Sequence, residues 1–356
     1  VAPRSTEVAD ALTAQDGLYC VLERDSDHRR ARVVNVMTAA AHAPSAADAV
    51  VTRLADRRTR AITLTITEKG YLVDSSTGGL RDDDASRADL AAVGTGRAPT
   101  TGVGLLAAGL LRRAVLGGVP VTVLSCDNLT ANGRTLERVV TEFAERLPST
   151  AGSELMAYLR AAVTFPVSMV DRIVPATTAR DAQHVRELIG ARDRATVVAE
   201  PFSQWVIEDR FAGDRPPWGD AGAELVDDVA PYETAKLRLL NAAHSLTAYL
   251  GALAGHRSIA AAIADPAIES AVRALQIEAS GTVERPTGWN LNDYADSVLA
   301  RFGNAALEHR CEQVAADGSQ KLPVRIVPTI VAVRAGGGLP VWCLLAVAAW
   351  ARFVVD

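Results

Sequence analysis

The stretch "VPVTVLSC" (Val119–Cys126) is short, β-branched and almost continuously apolar. That is the pattern of a strand buried on both faces of a parallel sheet. Upstream, "AITLTIT" (Ala61–Thr67) repeats it, and an Ala/Leu-rich helix over Thr101–Leu116 stands between the two. A second helix, "NGRTLERVVTEFAERL" (Asn132–Leu147), follows. Further out, "LYCVLER" (Leu18–Arg24) and "ARVVNVM" (Ala31–Met37) read as strands, and "SAADAVVTRLADR" (Ser45–Arg57) as a helix with a Ser N-cap. Strands alternating with helices predict an α/β, Rossmann-like, mostly parallel sheet with helices on both faces.

Past about Pro201 the pattern becomes helical throughout, with Pro, Gly or Asn between the segments. A chain of 356 residues is too long for one ordinary domain. The expected division is a sheet domain over residues 1–200 and a predominantly α-helical domain over 201–356. Apolar residues make up 49% and charged residues 22%, the balance of a globular chain. A net charge of -5, with no local Lys/Arg block, argues against nucleic acid as a partner. Cys20, Cys126, Cys311 and Cys343 are too far apart for a CxxC motif and fit free thiols in a reducing cytosol. "LPVWCLLAVAAWARFVV" (Leu339–Val355) reads as a buried helix, since it is short for a membrane span and contains Arg352.

"TTGVGLLAAG" (Thr100–Gly109) imitates a dinucleotide fingerprint, but no strand delivers it and its third glycine is misplaced. Its glycines suit close helix packing. "RAGGGLP" (Arg334–Pro340) is a loop for the same reason. The chain therefore pairs a nucleotide-type sheet with no glycine-rich first turn. The expectation is that this unit lies before Val1, and both ends of the chain read as cut.

"YETAKLRLLNAAHSLTAYLG" (Tyr232–Gly251) reads as a helix with Glu233, Lys236, Asn241 and His244 among leucines and alanines. At the α-helical pitch the four fall within an arc of about 140° over about 16 Å of axis. Either this is an exposed amphipathic face or it is one wall of a site. A buried Lys would need a partner or a use. "SCDNLTANG" (Ser125–Gly133) places Asp127, Asn128 and Asn132 at the carboxyl end of a strand, where open α/β sheets bind ligands. A turn plus a helix cap is the alternative. "FPVSMVDRIVP" (Phe165–Pro175) carries Asp171 and Arg172 inside an apolar run, as an ion pair or a site. "TITEKGY" (Thr65–Tyr71) ends a buried strand with Glu68 and Lys69, and "DGSQKLPVR" (Asp317–Arg325) offers Lys321 and Arg325 to an anionic or polyhydroxylated ligand.

These motifs, with "QWVIEDRF" (Gln204–Phe211), stand in one order along nearly the whole chain and together resemble the long-chain polyol-specific dehydrogenases. The resemblance implies a metal-independent secondary-alcohol dehydrogenase that uses NAD, with NADP as the alternative. It also implies a cytoplasmic monomer acting on a sugar acid or polyol. It assigns Lys236 as general acid/base, Asn132 and Asn241 to the carbonyl oxygen, His244 to a substrate hydroxyl and Glu233 to a proton relay. Asp171 and Lys321 match substrate-binding positions. Gln313 stands where the mannitol enzymes carry arginine, which favours fructuronate reductases and a hexuronate substrate whose carboxylate Lys321, Arg325 or Arg172 receives. Glu68, Asp127, Asn128 and Arg4 are the candidate cofactor contacts. The leading expectation is D-fructuronate plus NADH to D-mannonate. Mannitol 2-dehydrogenase activity, a Schiff-base lyase using Lys236, and a non-catalytic binding protein are the alternatives.

Overall fold

The computed structural model describes residues 1, 6–25 and 28–355. Arg4 lies outside the described residues. Among the described residues, nine strands form three groups of three. In the first, β1 (Tyr19–Arg24) pairs antiparallel with β2 (Arg29–Val34) and parallel with β7 (Val197–Ala199). In the second, β3 (Ala61–Leu64), β4 (Val121–Ser125) and β5 (Val163–Thr164) run parallel. In the third, β8 (Gln204–Glu208) pairs antiparallel with β6 (Ser168–Asp171) and parallel with β9 (Glu224–Val226). The first two strands depart from strict alternation because only residues 25–28 join them, too few for a parallel crossover.

β4 is buried at every position, as its apolar run predicts. Beside it, Leu106, Leu136, Val140, Phe143 and Leu155 close a core with Ile62 and Val123. The glycines of Gly102–Val115 serve packing: a Cβ on Gly109 would stand 2.5 Å from the Leu54 Cβ of the helix Ala47–Ala55. β3 stops three residues short of its apolar run. The Asp127 carboxylate accepts the amides of Ile66 (2.8 Å) and Thr67 (3.2 Å) and draws the chain into a helical turn, Thr67–Gly70. Thr67 sits there at φ +62°, a left-handed conformation costly for a β-branched residue.

Strands continue to Val226, and helices take over from Ala230. The helical part packs around Ala242–Leu253, in which Ala243, Leu246, Ala248 and Tyr249 are fully buried. The chain needs glycine at 251: a Cβ there would lie 2.7 Å from that of Ala262 and 2.9 Å from the Cys311 sulfur. The last helix, Val341–Val355, buries Cys343, Ala346 and Ala349 against this core. Among the described residues no helix is long and apolar enough to cross a membrane. All four cysteines are free, and burial pushes the Cys20 and Cys126 thiols up to about 11.

Candidate active site

The segment that carries Lys236 is not a uniform α-helix. Ala230–Ala235 is α-helical, Lys236–Asn241 is a π-helix, and Ala242–Leu253 is α-helical again. The Ala242 amide reaches back to the Leu237 carbonyl, an i→i+5 bond. The wider turn brings Lys236 and Asn241, five residues apart, toward one side. A pitch of 3.6 residues would separate them by about 140°. The π segment could not be read from the sequence, because nothing in "KLRLLN" breaks an α-helix.

A cavity of about 520 Å³ opens beside this segment. Lys236, Asn241, His244 and Arg325 line it from the helical side. Asn128, Asp171 and Arg172 line it from the strand ends, and Gln204, Trp205 and Trp218 close another wall. Lys236 is only 6% exposed, and its Nζ donates to Asn128 Oδ1 and to the Val170 carbonyl, each at 2.5 Å. Burial lowers the Lys236 pKa, and the charges of Arg301 and Arg325 lower it further, against the opposing pull of Asp171 and Glu233. Both carboxylate oxygens of Glu233 lie 3.2 Å from the Ala131 amide, which they accept just before the helix Asn132–Glu145. Burial raises the Glu233 pKa, opposed by that amide and by Lys236. The two groups, one helical turn apart, are thus shifted toward each other, the direction that favours proton exchange between them.

The asparagines divide into two kinds. Asn241 lines the cavity, and its side chain makes no hydrogen bond to the described residues; only its carbonyl is engaged, by Ser245 Oγ and Arg325. Asn132 is fully buried beneath the strand ends. Its Nδ2 lies 2.8 Å from the Ser168 carbonyl, 3.0 Å from that of Asp127 and 3.1 Å from that of Ser125, and its Oδ1 accepts the Ser168 amide at 3.0 Å. Gly133 beside it is equally committed, since a Cβ there would stand 2.5 Å from the Phe165 and Pro166 carbonyls. The amide nearest Lys236 from this loop is Asn128, which the sequence places among the cofactor contacts. Asp127, also expected there, accepts from Tyr71 Oη (2.7 Å) as well as from the two amides that end β3.

His244 Nε2 is buried and has no partner. Its ring stacks on Phe302 at 4.8 Å and meets His309 edge-on at 4.9 Å. Burial drives its pKa well below the usual histidine value, helped by His309 and the cationic neighbours, so the ring is neutral at pH 7. Asp171 does both things its sequence context allowed. It lines the cavity, and it binds Arg301 with both oxygens, at 2.7 and 2.9 Å. Arg301 also holds Glu200, at 2.8 and 3.0 Å, and its guanidinium lies 4.0 Å over the Phe202 ring. Burial works against that cation, but the bonds from Asp171 and Glu200 outweigh it and raise its pKa. Arg301 belongs to none of the sequence motifs, although its signal is present: an arginine between Leu299 and Phe302 on the apolar face of the helix Leu291–Phe302.

Of the other expected contacts, Arg325 reaches the cavity and donates to Ser245 Oγ at 3.2 Å. No carboxylate of the described residues lies within salt-bridge distance of it, and burial disfavours its charge. Arg172 also lines the cavity but is engaged by Glu23 (2.9 Å) and the Glu200 carbonyl. Lys321 does not line it; its ammonium donates to the carbonyls of Val314 and Ala316. Gln313 is exposed and away from the cavity. Glu68 is exposed, and its charge acts on both Lys321 and Arg325. No group of three or more His, Cys, Asp or Glu able to hold a metal occurs among the described residues.

The chain is similar to known proteins along nearly its whole length. The family described as the mannitol dehydrogenase Rossmann domain matches residues 2–220, and that described as the mannitol dehydrogenase C-terminal domain matches 228–356. The chain is 41% identical over 349 residues to the uncharacterized oxidoreductase YdfI of Escherichia coli, covering 98% of this chain and 70% of that protein. It is 37% identical over 345 residues to the D-mannonate oxidoreductase of the same organism, covering 96% and 70%. Among solved structures it is similar to the Pseudomonas fluorescens mannitol 2-dehydrogenase in ternary complex with NAD and D-mannitol. The TM-score is 0.87 at 35% identity, over 98% of this chain and 70% of that one. Matched by both family domains from end to end, the chain belongs to the mannitol dehydrogenase family of oxidoreductases.

Proposed function

We propose that this chain carries the machinery for reducing a hexulosonate with NADH, D-fructuronate to D-mannonate, with Lys236 as the general acid. The observation that carries the reading is the cavity that joins a buried, pKa-lowered Lys236 to Arg325, a partly buried guanidinium with no carboxylate partner among the described residues. A sugar-acid carboxylate supplies that missing anion. Two relatives support it: one is named for D-mannonate, and another was solved with NAD and a six-carbon polyol.

The residues present fit the nicotinamide end of the cofactor. β4 ends at Ser125 and delivers Asn128 to the cavity wall, at the carboxyl ends of parallel strands where such folds bind ligands. When bound, NADH supplies the hydride that adds to the ketone carbon. Lys236 supplies the proton to the ketone oxygen as the negative charge develops there. Its ammonium must leave the Asn128 and Val170 oxygens, or share its third hydrogen, to do so. The free Asn241 amide donates to the same oxygen and stabilises the charge. Glu233 returns a proton to Lys236. His244, neutral, offers its unpartnered Nε2 to a neighbouring hydroxyl. Asp171, fixed by Arg301, accepts another. Asn132 serves the same oxygen indirectly, by holding together the strand ends that carry Asn128 and Val170.

NADH and NADPH oxidation with D-fructuronate, D-tagaturonate and D-fructose tests this. D-Fructuronate with NADH should give the highest kcat/KM, and Arg325→Met should lower it roughly tenfold or more while affecting D-fructose less. The wild type preferring D-fructose would favour a mannitol 2-dehydrogenase, and turnover of none would remove the enzymatic reading. Sedimentation velocity tests the expected monomer.

A further inference from the structure

The cavity has a wall that the chemistry above leaves unused. Trp205 and Trp218 stand with ring centroids 4.9 Å apart and planes tilted by 33°, and Phe211 meets Trp218 edge-on at 5.8 Å. Both tryptophans line the same cavity as Lys236. Trp205 on β8 is paired in register with Val170 on β6, whose carbonyl holds the Lys236 ammonium. Directly opposed residues of an antiparallel pair project to one face. The aromatic wall therefore begins next to the acid/base group.

Trp218 is presented by the connection between β8 and β9. Pro216 and Pro217 precede it and restrict the backbone. The Trp218 carbonyl accepts the amides of Ala221 and Ala223, both at 3.0 Å, so the turn closes tightly around it. Two buried polar atoms at this wall have no partner: Trp205 Nε1, a donor, and Gln204 Oε1, an acceptor. The Gln204 amide is not loose, because its Nε2 donates to Glu224 at 2.7 Å. A buried donor and a buried acceptor left unpaired both destabilise a fold unless a ligand completes them. A hydroxyl group can do either. The indole faces fit the C–H face of an extended polyol chain.

We propose that Trp205, Trp218 and Gln204 form a specificity-determining subsite for the carbons beyond the reacting ketone. The carbon chain lies on the indole faces, and side-chain shifts that open Trp205 Nε1 or Gln204 Oε1, both closed to solvent without ligand, let its hydroxyls pair with them. The proposal rests on the reading of Lys236 as the reacting end. It makes the site selective for open chains long enough to reach the wall, and poor for short ketoses that fill only the Lys236 end.

Two measurements test it. In steady-state kinetics, Trp218→Ala should raise KM for D-fructuronate roughly tenfold more than for the four-carbon ketose L-erythrulose. Trp218→Phe, which keeps a ring, should restore most of the difference, and Gln204→Leu should raise KM for the six-carbon substrate with a smaller change in kcat. Equal changes for both ketoses, or no change in KM, would overturn the subsite. The second measurement needs no turnover: tryptophan fluorescence titrated with D-mannonate and with D-mannitol should change saturably in the wild type and much less in Trp218→Phe. A saturable change without any ketose turnover would sustain the subsite while the proposed reaction fails. Turnover with no fluorescence change would sink the subsite alone.

Discussion

Two asparagine-bearing segments face each other across the cavity, and they are built in opposite ways. In "SCDNLTANG", Asn132 and Asp127 are saturated: every polar atom they point inward meets a backbone amide, a carbonyl or the Tyr71 hydroxyl. In "KLRLLNAAH", the Asn241 side chain and His244 Nε2 have no hydrogen-bond partner among the described residues. The first arrangement fixes strand ends in place. The second leaves hydrogen-bonding capacity idle in a partly buried cavity, which a fold tolerates poorly unless a ligand uses it. Polar residues in a suggestive place were the clue in both segments, at a strand end in the first and on one helical arc in the second, and only the partners separate them.

Substitutions can break this contrast. Lys236→Ala should lower kcat roughly 10²–10⁴-fold, as loss of a general acid does, with a circular dichroism spectrum and Tm close to wild type. Asn241→Ala should cost roughly 10²–10³ in kcat, again with little effect on Tm, because its side chain holds no part of the fold. Asn132→Ala should do the reverse. It strands a buried amide and buried carbonyls at the β4–β6 junction, so thermal or urea unfolding should show a loss of about 2–3 kcal/mol. A Tm for Asn132→Ala equal to wild type, with kcat reduced as in Asn241→Ala, would erase the distinction and return Asn132 to direct contact with the substrate oxygen. The smallest effect expected is from Asn128→Asp. A carboxylate at hydrogen-bond distance favours the ammonium and should raise the apparent pKa of Lys236, read from the pH dependence of kcat.

The fold was legible because apolar, β-branched runs leave a strong mark in sequence: "VPVTVLSC" became β4, buried at every position, and "AITLTIT" became its parallel neighbour β3, which buries Ile62 and Leu64 and leaves Thr63 exposed. What was not legible came from interactions between distant segments. β3 ends early because Asp127, some sixty residues away, captures the Ile66 and Thr67 amides. The same limit applies to the site. Lys236, Asn241 and His244 could be grouped by helical periodicity, though the π turn that relates them could not. Arg301 acts through Asp171 and Glu200, which lie more than a hundred residues upstream. Its burial among carboxylates depends on how the helix Leu291–Phe302 docks on the strands, which no local pattern encodes. Gln313 illustrates the converse: a position singled out by resemblance stands exposed, away from the cavity.

In the proposed reaction Lys236 exchanges the proton with the substrate oxygen at a pKa lowered by burial. The pH dependence of kcat, measured in both directions with D-fructuronate plus NADH and with D-mannonate plus NAD, tests it most directly. Reduction needs the ammonium, so its rate should fall as pH rises through the Lys236 pKa. Oxidation needs the free amine, so its rate should rise through the same value. That value should lie below the ordinary lysine pKa of about 10.4 and move upward in Asn128→Asp. Profiles that are flat from roughly pH 6 to 10, or unchanged when Lys236 is replaced by alanine, would contradict the account.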